Sequence, residues 1–118
     1  IPGYLIHSTN KPYGVGMRVT HGCLRMYPED IERLFEDIPV GTPVHIVNQP
    51  IKLGWLAGSL FVELHPPLEE DTDNYANYMQ SVLDAIAGFT APDEISLSGR
   101  VLWQAIEHQD GIPVAITR

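Results

Sequence analysis

Ten prolines and ten glycines are spread along the 118 residues, and this punctuation constrains the chain most, because it limits the length of every element. Gly14 and Gly16, Pro28, the Pro39-Val40-Gly41 step, Pro50, Gly54, Gly58, Pro66-Pro67, Gly88 and Gly111 each mark a turn or boundary. Between them the apolar residues fall into short runs. Gly3-Tyr4-Leu5-Ile6-His7 predicts a strand that delivers His7 at its end, and Ser8 to Gly16 has loop chemistry. Pro28 as a first helical residue, Glu29 and Asp30 in the first turn, and Ile31, Leu34, Phe35 and Ile38 at helical spacing predict a helix that stops at Pro39 to Gly41.

Further along, Thr42 to Val47 and Ser59 to His65 read as strands. Val44 and Ile46 share one face of the first, and Leu60, Val62 and Leu64 share one face of the second. The acidic run Glu69-Glu70-Asp71 with Asp73 predicts a solvated boundary. Tyr75, Met79, Val82 and Ile86 then predict an amphipathic helix ending near Gly88. Ser98 is placed to cap another helix, with Leu102, Ala105 and Ile106 as its stripe and Gly111 as its stop, and Ile112 to Ile116 reads as a last short strand. The expected fold class is α+β: a β-rich half over residues 1–66 and a helical part over residues 67–118.

Composition narrows function. A hydrophobic content of 44% with 19% charged residues fits one globular unit rather than disorder. No apolar run reaches the roughly 18 residues of a membrane span. The chain opens at Ile1-Pro2 without Met, as expected of a processed or truncated chain whose export signal is gone. Fifteen acids against seven bases give a formal charge of −8, which repels phosphate backbones and argues against nucleic-acid binding. Residues 1–28 nevertheless contain Lys11, Arg18 and Arg25 and no acid. A cationic segment in an acidic chain suits an anionic ligand.

The single cysteine excludes an internal disulfide framework and a cysteine-rich zinc site. Cys23 is therefore inert core, an intermolecular partner or a nucleophile. A thiol with a pKa of about 8.5 is only slightly ionised at neutral pH, so a nucleophilic cysteine needs a base or a cationic neighbour. Two histidines compete for that role. His21 lies two positions from Cys23, but Gly22 turns the backbone between them; His7 lies upstream, far enough for a loop to return the chain beside it. His7 is the favoured base, with His21 shaping the pocket or assisting proton transfer. Taken singly, a lone cysteine is most often a small buried hydrophobe and a lone histidine is usually structural. The combination favours chemistry. His45, His65 and His108 are scattered over other elements and His-x-Cys is not a chelating spacing, so neither a metal nor a cofactor is expected.

Ile6-His7-Ser8-Thr9-Asn10-Lys11-Pro12, followed by Thr20-His21-Gly22-Cys23-Leu24-Arg25-Met26-Tyr27-Pro28, resembles the signature of the L,D-transpeptidases. Gly41-Thr42-Pro43-Val44 and Gly58-Ser59-Leu60-Phe61-Val62-Glu63 resemble the Gram-negative periplasmic branch, and the similarity reads as covering residues 1–66 and fading after Pro67. The resemblance implies a peptidoglycan enzyme of the periplasm or cell envelope. Cys23 would attack the third residue of a tetrapeptide stem and expel D-alanine, and an amine of a second stem, or of an envelope lipoprotein, would take the acyl group. By the same resemblance His7 is the general base, Ser8 or its backbone orients it, and His21 and Gly22 line the pocket beside Arg25. Thr20 belongs to the same motif. Backbone N–H groups around His21 to Cys23 are the expected oxyanion donors, and Arg25 is suited to a stem carboxylate.

Serine at position 8, where many relatives have glycine, leaves a side-chain role there open. The family's strands upstream of the histidine are absent from this sequence, so another fragment or a second copy is expected to supply them. Two further readings stand beside the transferase: a truncated, non-catalytic binder of peptidoglycan, and a thiol-dependent cell-wall hydrolase.

Overall fold

The computed structural model describes residues 4–17, 23–90 and 94–118. The chain forms two compact units, residues 1–46 and residues 47–118.

In the first unit, β1 (Ile6–Ser8) pairs with β2 (Leu24–Met26), and α1 (Pro28–Asp37) follows β2 after Tyr27 alone. The pairing is parallel, with Ile6 opposite Leu24, His7 opposite Arg25 and Ser8 opposite Met26. Parallel neighbours need a crossover of about a dozen residues or more, which residues 9–23 supply. A short 3-10 turn, Pro12–Gly14, lies in that crossover where loop chemistry was expected. The expected helix is present. Pro28 opens it, Glu29 and Asp30 occupy the positive end of its dipole, and the Ile38 N–H closes onto the Leu34 carbonyl. No α1 residue is buried, and Phe35 is 84% exposed.

The second unit holds the core. β3 (Ile51–Leu56), β4 (Ser59–Leu64) and β5 (Val114–Ala115) form an antiparallel sheet in the order β3-β4-β5. The hairpin turn is Ala57-Gly58, both with positive φ (49° and 81°), as a two-residue turn that matches strand twist requires. β4 alternates as predicted: Leu60, Val62 and Leu64 are buried and the residues between them are not. α2 (Tyr78–Thr90) contributes Val82 and Ile86 to the same core, and α3 (Gly99–His108) contributes Leu102. Ile116 completes it. Ser98 caps α3 as anticipated, its hydroxyl accepting from the Val101 N–H, and the helix leaves through Gln109 in the left-handed region.

Several expectations are corrected. Thr42 to Val47 forms no strand; Val44 and Ile46 are exposed, and Pro43 interrupts the run. The hairpin partner is instead Ile51–Leu56, hidden because Gly54 sits in its centre, opposite Phe61. Gly88 does not end α2, which runs on to Thr90, whose hydroxyl donates to the Ile86 carbonyl. Tyr75 and the acidic run form a 3-10 segment, Glu69–Tyr75, rather than the first turn of that helix. The last strand is shorter than Ile112 to Ile116. The apolar partners of β4 lie on β3, α2 and α3, all within the second unit.

Candidate functional site

Parallel pairing brings the two halves of the motif together. The Leu24 N–H donates to the Leu5 carbonyl at 2.8 Å, so the chain around Cys23 runs beside the strand that carries His7. Residues opposite each other in a parallel pair project to the same side of the sheet, which sets His7 and Arg25 on one face. Cys23 immediately precedes β2, two positions from Arg25. On ideal strand spacing its Cα lies diagonally across from that of His7 at about 8 Å. Cys23, His7 and Arg25 are all half-buried, and Ser8 is exposed.

The His7 ring is oriented by main chain. Nδ1 lies 2.5 Å from the Ser8 carbonyl oxygen, and a carbonyl only accepts, so Nδ1 carries the proton. In the neutral ring this leaves Nε2 as the acceptor. The Ser8 contribution at this contact is its backbone. Downstream, the Lys11 N–H donates to the Thr9 hydroxyl at 2.9 Å, and Gly14 N–H to the Lys11 carbonyl at 3.1 Å, closing the start of the crossover into a compact turn. Thr20, His21 and Gly22 lie outside the described residues, and with them the expected second histidine and oxyanion donors. Among the described residues no group of three or more His, Cys, Asp or Glu is arranged to hold a metal ion. None of the described helices is long and apolar enough to cross a membrane.

A second polar cluster, which sequence reading did not single out, lies in the other unit. Glu63 Oε1 accepts from Lys52 Nζ at 2.9 Å and from His65 Nε2 at 2.6 Å. The His65 hydrogen bond, followed by that of Lys52, holds the Glu63 carboxyl below the usual carboxylate range against the opposing effect of burial. Lys52 and Glu63 are directly opposed across β3 and β4, and Glu-x-His puts both side chains on one face of the strand line. The alternation of β4 contained this signal once β3 was known.

Comparison with known proteins agrees with the motif. Residues 2–46 match the L,D-transpeptidase catalytic domain, the YkuD family. Over 98% of its length the chain is 35% identical to the probable L,D-transpeptidase YcfS of Escherichia coli K12, covering 36% of that protein. The probable L,D-transpeptidase YbiS of the same strain is 34% identical over 96% of the chain and 38% of its own length. ErfK/SrfK of Salmonella typhimurium, also a probable L,D-transpeptidase, is 35% identical over 97% of the chain and 38% of its own length. The chain thus spans a little over a third of these relatives, and the similarity continues well past Pro67, where sequence reading had it fade. No solved structure matches at comparable stringency.

Proposed function

We propose that this chain, whose residues 2–46 belong to the L,D-transpeptidase catalytic-domain family, works by forming an acyl-enzyme on Cys23 from a peptidoglycan tetrapeptide stem. The carrying observation is the parallel β1–β2 pairing, which sets His7 beside the segment leading out of Cys23, together with the Nδ1–H bond to the Ser8 carbonyl, which in the neutral ring makes Nε2 the acceptor.

In this reading His7 Nε2 takes the thiol proton as Cys23 Sγ attacks the carbonyl carbon of the third stem residue. The tetrahedral intermediate collapses by breaking the amide bond, and the D-alanine nitrogen leaves with the proton from His7. An acceptor amine then attacks the thioester, His7 takes its proton, and Sγ departs to be reprotonated. Main-chain N–H groups from His21 to Cys23 would hold the oxyanion, and Arg25, on the His7 face, would hold a stem carboxylate. Thr20, of the same motif, would belong to the substrate-binding set. The enzyme would act in the periplasm or cell envelope, with a second stem or an envelope lipoprotein supplying the amine.

The test is D-alanine release from a purified tetrapeptide stem, with product analysis. Wild type releases D-alanine and forms an amine-linked product; Cys23→Ala releases none, and His7→Gln falls about 10²- to 10⁴-fold. Undiminished release by Cys23→Ala would refute the reading, and water as sole acceptor would make the protein a hydrolase.

A further inference from the structure

His65 ties together four parts of the second unit. Its N–H donates to the Pro50 carbonyl at 2.8 Å, at the entrance to β3. Its carbonyl accepts from the Tyr78 hydroxyl at 2.9 Å, at the start of α2. Its ring donates to Glu63 on β4, and the ring lies flush against Gly111, in the turn between α3 and β5. A methyl group added to Gly111 would sit 2.6 Å from His65 Cε1, and Gly111 holds φ at +71°. The Gly111 N–H donates to the Leu64 carbonyl at 2.8 Å, so the turn is docked on the strand through main chain and through the ring.

We propose that Lys52, Glu63 and His65 form an acid-released latch on the α3–β5 turn. One carboxylate oxygen serves both donors, so the cluster depends on Glu63 being ionised. When Glu63 takes up one proton, the oxygen that held two cationic or polar donors becomes a weak acceptor, Lys52 turns to water, and the imidazole is no longer pinned over Gly111. The groups facing Glu63 are Lys52 from β3 and His65, just past the end of β4. The Tyr78 hydroxyl from α2 is engaged with the His65 and Pro50 carbonyls, and the Asp110 carboxylate of the turn accepts from the Ile112 N–H at 3.0 Å. The sign follows from the lowered carboxyl: latching is complete above the ordinary carboxylate range and is lost as pH falls through the Glu63 titration.

Two-dimensional NMR of the whole chain, titrated from neutrality down through the carboxylate range, tests this. In wild type the Gly111 resonances, shifted by the ring current of His65, move in step with the Glu63 side-chain titration, and protection of the Gly111 amide falls roughly tenfold. In Glu63→Gln the Gly111 resonances start near the released position and stay flat over that range. Lys52→Gln keeps His65 but removes one charge from Glu63, and it shifts the Gly111 transition to higher pH. The core amides of Leu60 and Ile116 serve as the folding control. Gly111 resonances that ignore Glu63→Gln, or a transition unmoved by Lys52→Gln, would overturn the latch.

Discussion

At the scale of single residues, the two chemically informative contacts are made by histidines, each with a hydrogen bond to a main-chain carbonyl. His7 is fixed by the carbonyl of the next residue, and His65 by the Pro50 carbonyl and the Tyr78 hydroxyl. Tyr78 shows what such a position does to a titratable group. Burial, then the neighbouring Tyr75, pushes its phenol up to about 12 from an ordinary 10.0. A raised folded-state value stabilises the fold fully below the unfolded value and loses that contribution as pH rises from 10.0 toward 12. Urea unfolding of the chain across this window is expected to show stability falling with pH, and Tyr78→Phe to flatten that part of the curve. The residues His7, Cys23 and Arg25 stand out in the sequence because they lie in a dense motif. Glu63 and His65 were not, because their meaning depends on a cross-strand neighbour, Lys52, that no local pattern announces.

Elements were legible where one period dominated. α1, β4 and α3 carry clean helical or alternating patterns with recognisable starts, Pro28 for α1 and Ser98 for α3, and they form as read. β3 was missed because Gly54 breaks its pattern, and Thr42 to Val47 was misread because alternation alone does not supply a pairing partner. The β3–β4 turn offers a direct test of the hairpin. Ala57 holds φ at 49° ahead of Gly58, a conformation costing a Cβ-bearing residue about 1 kcal/mol and favoured in such turns by asparagine. Ala57→Asn is therefore expected to raise the thermal midpoint, by about 0.5–1 kcal/mol of stability. A lowered midpoint would mean that the turn is not the one described.

For the whole molecule, the sequence motif and the core reside in different units. Every buried hydrophobic residue among those described lies between Leu60 and Ile116, whereas the β1–β2 pair and Cys23 lie within residues 1–46. Leu60→Ala should cost about 2–5 kcal/mol. In native-state hydrogen exchange it should loosen amides of β3, β4, α2 and α3 while leaving the Leu24 amide as in wild type. The relatives' extended similarity across both units shows that the pair occurs together in other proteins, although the sequence motif belongs to the first unit alone. The claim on which the functional account turns is that Cys23 is the acylated atom. Intact-mass spectrometry after exposure to a carbapenem, followed by peptide mapping, measures it most directly. One covalent adduct located on Cys23, absent in Cys23→Ala and strongly slowed in His7→Gln, is the predicted result; an adduct elsewhere, or one that survives Cys23→Ala, would contradict it.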